Sequence, residues 1–172
     1  MAEKNELLRA LDAFVLEPKR IIGATAPYSW GPGYSSVERM VEFPLEYRGE
    51  GDKAARLVLV GFPTARELKF RISLCYNAAI CRFDYTDETH PNVLKLINDN
   101  LPPLVKGPHF HSWEINRRFF RGAATVPRLE LAEPFSEPGG FDSLLRWFCS
   151  RTNIEQPVSG HYIRLPTRDT LL

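Results

Sequence analysis

The chain has 172 residues, of which 44% are hydrophobic and 25% charged. That length and composition suit one packed domain, and they exclude both extended disorder and a pair of ordinary domains. Its 22 Lys and Arg nearly balance its 21 Asp and Glu, so no overall field draws it to nucleic acid or to an anionic membrane; any such contact must come from a local patch.

Leu7, Leu8, Leu11, Phe14 and Val15 recur at helical spacing among Glu3, Lys4, Glu6, Arg9 and Asp12, and Pro18 stops the pattern. An amphipathic helix over residues 3–16 is predicted. The early charges do not make a signal peptide, and no run approaches the roughly 18 apolar residues of a spanning helix, so we expect no membrane association. Cys75, Cys81 and Cys149 are an odd number, lack CxxC spacing and sit in apolar runs. We expect buried free thiols and a reducing cytoplasm.

Residues 23–36 read as a loop in which Tyr28, Trp30 and Tyr34 alternate with Pro27, Gly31, Pro32 and Gly33. The glycines do not form a phosphate-binding GxxxxGK[ST] loop. Residues 37–48 alternate as a strand, and Pro44 assigns it to a sheet edge. Residues 56–60 are a short buried strand. Residues 68–76 alternate strictly, with Leu68, Phe70, Ile72, Leu74 and Tyr76 on one face and Lys69, Arg71, Ser73 and Cys75 on the other.

Asn77 and Ala78 turn the chain into a strand over residues 79–85, with Ala79, Cys81, Phe83 and Tyr85 on one face and Ile80, Arg82 and Asp84 on the other. A polar loop with His90 and Asn92 follows, and Pro91 suits the first position of a short helix carrying Val93, Leu94 and Ile97. Residues 109–115 read as a strand presenting His109, His111, Trp113 and Ile115 together. Arg117, Arg118 and Arg121, with Phe119 and Phe120 among them, are the concentrated basic patch. A last helix is predicted over residues 141–151, then an irregular tail from residue 152. The fold class is α+β: a single domain, 1–172, with N- and C-terminal helices packed on one face of a largely antiparallel sheet of about five strands.

Three of the four histidines lie between residues 90 and 111, and two of them share a strand face with Cα atoms roughly 6.5–7 Å apart. Such a pair suits metal-free cleavage of RNA by its own 2′-hydroxyl, which needs a base, an acid and a cation for the phosphate. His109 and His111 are the candidate acid and base, Arg82 the phosphate holder and Asp84 an orienting group or base. His90, Asn92, Arg117 and Arg118 are candidate substrate contacts, with Trp113 or Tyr85 as a stacking platform. The same histidines, His90, His109 and His111, with Asp84 as an alternative third group and Glu114 as a helper, are also a candidate transition-metal set. The main alternative, ranked ahead of the metal set, is a non-enzymatic phage or prophage inhibitor or anti-defence protein that docks on a protein partner through Tyr28, Trp30, Tyr34 and the arginine patch.

The string CRFDY, THPN and GPHFHSWEINRRF, within residues 69–120, resembles the TumE-type toxins of toxin–antitoxin pairs and related uncharacterised bacterial and prophage families. The end of the chain, LLRWFCSRTNI, is similar to the ends of those relatives. The resemblance implies a compact cytoplasmic α+β toxin that acts on RNA or translation and is neutralised by an antitoxin partner. Arg82, Asp84, His90, Asn92, His109 and His111 are the positions that fit. The longer segment between Asn92 and Gly107, and Trp113 after the second histidine, depart from the pattern.

Overall fold

The computed structural model describes residues 2–22, 29–48, 50–92, 100–120, 129–155 and 163–167. In chain order the elements are α1 (Ala2–Leu16), β1 (Lys19–Ile21), β2 (Gly31–Pro32), β3 (Arg39–Tyr47), β4 (Glu50–Gly61), β5 (Phe70–Tyr76), β6 (Ala78–Tyr85), β7 (Thr89–Pro91), β8 (Leu104–Lys106), β9 (His109–His111), α2 (Trp113–Asn116), β10 (Glu133–Pro134), α3 (Phe141–Arg151) and β11 (Ile154–Glu155). Nine strands form one sheet in the order β10-β9-β6-β5-β4-β3-β1-β11, with β2 beside β3; β7 and β8 pair separately. The main sheet is antiparallel except where β1 meets β11. This is the expected α+β architecture, with more strands than five.

The strands persist because their alternation matches the pleat. Phe70, Ile72 and Leu74 of β5 are buried and meet Leu57 and Leu59 of β4 and Phe43 and Leu45 of β3. Leu11 and Phe14 of α1 and Leu144, Leu145 and Phe148 of α3 cover the same face and complete the main core. Each such large side chain contributes about 1.5–3 kcal/mol by leaving water. Residues 58, 60 and 75 point the other way, where Val58, Val60 and Cys75 make a small second cluster with Met40, Phe62 and Ala79. All three cysteines are buried and free.

α1 ends without a basic residue in its last turn, and Lys19 supplies what is missing. Its ammonium, 1% exposed, donates to the carbonyls of Phe14 at 2.6 Å, Val15 at 3.2 Å and Glu17 at 2.6 Å. Those of Phe14 and Val15 are among the carbonyls a helix leaves without intrahelical partners, and Glu17 follows directly on the last turn.

Five expectations need correction. Pro44 does not mark an edge, because β3 lies between β4 and β1; the missing N–H is absorbed by a register shift between Pro44 and Glu46. On β6 a second bulge, opposite Leu74 and Cys75, brings Ile80 into the main core beside Cys81, away from the Arg82 and Asp84 face. The strand from residue 109 ends at His111, and the chain turns into α2 at Trp113. The tail is not wholly irregular, since Ile154 and Glu155 pair in parallel with β1. Pro91 belongs to β7, and the helix expected to follow it lies outside the described residues, as do Tyr28 and Arg121.

Candidate functional site

Strand register assembles the site. In β6 and β9, Arg82 stands opposite His111 and Asp84 opposite His109; in β5 and β6, Arg71 stands opposite Asp84. Directly paired residues project to the same side of a sheet, so Arg71, Arg82, Asp84, His109 and His111 share one face, the one turned away from the helices. The β7–β8 hairpin folds His90 onto this face. Its ring centroid is 5.3 Å from that of His109 and 4.7 Å from that of His111.

Asp84 is the hub. Arg71 Nε donates to its Oδ1 at 2.8 Å and Arg82 Nε to its Oδ2 at 2.7 Å. His109 Nε2 and His111 Nε2 lie 3.4 and 3.3 Å from the same Oδ2. Burial alone would raise the Asp84 carboxyl, but the hydrogen-bonding and charged groups around it, the Arg82 and Arg71 guanidinium groups among them, outweigh it and hold the group well below the ordinary carboxylate range. Asp84 is therefore ionised.

Each histidine is also tied to the backbone. His109 Nδ1 donates to the Gly107 carbonyl at 2.7 Å and His111 Nδ1 to that of Leu131 at 2.9 Å, while His90 Nε2 lies 3.3 Å from the Glu130 carbonyl. With its Nδ1 hydrogen committed, His111 turns the lone pair of Nε2 to Arg82 Nη2, 3.0 Å away. Burial pushes the His111 imidazole down to about 4, against the pull of Asp84, so it is neutral near pH 7. Burial lowers His90 as well.

Segment 130–132 is the scaffold behind the histidines, and two asparagines grip it. Asn92 Oδ1 accepts the Ala132 N–H at 2.7 Å, and Asn92 Nδ2 donates to the carbonyls of Ala132 at 3.0 Å and Pro102 at 2.7 Å. Asn116 does the same one residue earlier: its Oδ1 accepts the Leu131 N–H at 2.9 Å, and its Nδ2 donates to Leu131 at 2.9 Å and Ser112 at 3.0 Å. Two side-chain amides thus imitate a neighbouring strand.

The face opens into a cavity of about 130 Å³ lined by Arg71, Arg82, Asp84, Tyr85, His90 and His109, with Phe62, Lys69 and Glu88 at its wall. Lys69 is paired with Glu88, so the arginines dominate its charge. His111, at 0% exposure, lies behind them.

The geometry revises several sequence-based roles. Arg82, Asp84, His90, His109 and His111 do come together, with His90 closer than its loop position implied. His111 is enclosed, with both ring nitrogens engaged, so the imidazoles that line the cavity are His90 and the buried His109. Asn92 is 3% exposed and fully used by backbone groups, which makes it a strut and not a substrate contact. Trp113 is buried in the main core, and its Nε1 donates to Asp12 Oδ1 at 2.8 Å; α2 has turned it away from the histidines, so it is no stacking platform. Tyr85, among the residues around the cavity, stacks on Phe70 on the main-core side of the sheet. Arg117 is held by Asp12 at 2.6 Å, and Arg118 Nε donates to the Ile115 carbonyl at 3.0 Å; neither lines the cavity. Glu114 on α2 pairs with Arg151, not with the histidines. Of the aromatic loop, Trp30 is tied to the Arg164 carbonyl and Tyr34 is 79% exposed.

Sequence reasoning missed Arg71 and Asn116. Arg71 was legible as the residue facing Asp84 once β5 and β6 formed a hairpin. Asn116 carries no local signal, because its partner is fifteen residues away. Among the described residues, one ring nitrogen from each of His90, His109 and His111 lies within 4.8 Å of the others, a set able to hold a metal ion.

Fold and site together define an α+β protein with a histidine, aspartate and arginine centre on the uncovered face of its sheet. No protein-family model, curated protein or solved structure matches the chain. No helix among the described residues is long and apolar enough to cross a membrane.

Proposed function

We propose that this protein cleaves RNA by metal-free acid–base chemistry, as a toxin-like ribonuclease. One observation carries the reading: two guanidinium groups and two imidazoles converge on a single small cavity around an ionised aspartate. Both arginines spend Nε on Asp84, which leaves terminal nitrogens for two phosphate oxygens in the planar, forked geometry that suits them. A phosphodiester seated there brings its 2′-hydroxyl and its leaving oxygen to the imidazoles. His90, kept neutral by burial, accepts the hydroxyl proton. The 2′-oxygen attacks phosphorus, the P–O5′ bond breaks, and His109 returns a proton to the leaving oxygen. Asp84 Oδ2 lies 3.4 Å from His109 Nε2. His111 is a positioning residue: it accepts from Arg82 and holds that guanidinium beside Asp84.

The same reading extends the resemblance to TumE-type toxins: a cytoplasmic enzyme held in check by a partner antitoxin. The test is cleavage of a mixed RNA by the purified protein, against the His90→Ala, His109→Ala double variant, with and without EDTA. Cleavage that needs the two histidines and ignores EDTA is the expected result. Equal cleavage by the double variant, or none by the wild type, overturns the reading.

A further inference from the structure

We infer that His90, His109 and His111 form a binding site for one divalent transition-metal ion of the zinc class, and that the ion switches the site off. The site stands on geometry alone; only its inhibitory consequence rests on the acid–base reading above.

Three features point to a metal. One nitrogen from each ring lies within 4.8 Å of the other two. A Zn–N bond of about 2.1 Å in a tetrahedral site puts donors about 3.4 Å apart, so each ring needs to move inward by about 0.8 Å or less. Next, each ring has one nitrogen on a backbone carbonyl, those of Glu130, Gly107 and Leu131. That is the outer arrangement that fixes ring orientation in metal centres and makes the inner nitrogen a better donor. Finally, the Nε2 atoms of His109 and His111 both face Asp84 Oδ2, an anion beside the space the ion would take.

The inhibitory effect follows from competition. His111 Nε2 has one lone pair, and Arg82 Nη2 occupies it at 3.0 Å. An ion bound there displaces the guanidinium and repels both arginines, which removes the cradle for phosphate. It also takes the ring nitrogens that would move protons. The metal-loaded and phosphate-binding forms therefore exclude one another.

The test titrates the purified full-length chain with ZnCl2 by calorimetry and with cobalt(II) by visible absorption. We expect one ion per chain and the absorption bands of a nitrogen-rich cobalt site. His90→Ala, at a half-buried position on a surface hairpin, should lose more affinity than the roughly 10–100-fold that outer-partner changes cost. Arg82→Gln should bind zinc several-fold more tightly, because it removes the competitor; circular dichroism confirms that each variant is folded. One equivalent of zinc should stop RNA cleavage, and EDTA should restore it. No stoichiometric uptake, uptake indifferent to His90→Ala, unchanged or weaker binding by Arg82→Gln, or undiminished cleavage by the zinc-loaded protein would each overturn the inference. Absence of RNA cleavage in every state sinks the ribonuclease reading instead, and the titrations still decide the metal site.

Discussion

Replacing Asn116 by alanine should cost about 3 kcal/mol of folding stability. The side chain makes three hydrogen bonds in a buried place. Two of the three leave a partner that remains satisfied: the Leu131 carbonyl keeps His111 Nδ1, and the Ser112 carbonyl keeps the Asn116 backbone N–H at 3.3 Å. The third does not. The Leu131 N–H belongs to a residue with 0% exposure, and without Oδ1 it loses its acceptor. An orphaned buried donor costs about 1–3 kcal/mol, and each of the other two lost bonds about 0.5–1.5 kcal/mol, less what relaxation recovers. For a chain of this size about 3 kcal/mol lowers the melting temperature by roughly 6–12 °C. Urea unfolding of wild type and Asn116→Ala at one temperature measures the difference directly. Because Leu131 also anchors His111, the folded variant should bind and cleave RNA more weakly. A loss below about 0.5 kcal/mol would refute the view that Asn116 holds segment 130–132.

Other expectations are narrower. Trp113→Phe removes one hydrogen bond to Asp12 and should cost about 1 kcal/mol in urea unfolding while RNA cleavage stays at the wild-type rate; a collapse of cleavage in a stable protein would restore Trp113 as a substrate contact. Arg82→Lys cannot reach both Asp84 and His111 from one ammonium, so cleavage should fall by at least about tenfold with little change in fold, as judged by rate measurement and circular dichroism. The thiols of Cys81 and Cys149 are pushed up to about 12 by burial and that of Cys75 to about 11; each stays protonated below those values. Iodoacetamide at pH 8 should leave all three unmodified in the native protein and alkylate them after urea unfolding, with mass spectrometry as the readout.

Legibility in the sequence followed range. The period-two pattern around Phe70, Ile72 and Leu74 is local, and burial in the structure follows it. Arg82, Asp84, His109 and His111 were identifiable as sharing faces within their own strands, and register then brought the two faces together. Proline was read too simply at residue 44, where a bulge lets it sit inside the sheet. Trp113 was misplaced because a strand pattern ran on past Ser112 into a helix with no alternation of its own. The roles of Asn92 and Asn116 were beyond reach, since an asparagine gripping a distant backbone resembles any loop asparagine. His111 shows a related blindness: alternation located its face, but only packing reveals that it is sealed.

The pairing of β1 with β11 has a consequence for how the molecule is closed. Lys19 N–H donates to the Asn153 carbonyl at 2.9 Å, and Asn153 Nδ2 donates to the Leu16 carbonyl at 2.6 Å. Sites more than 130 residues apart are thereby stitched at one rim of the sheet. Loop entropy makes a contact over that separation among the slowest to form. Until it does, β1 is a bare edge able to pair with another chain. A protein stopped after Arg151 would carry that edge permanently, and its fault would appear as self-association rather than as a damaged histidine site.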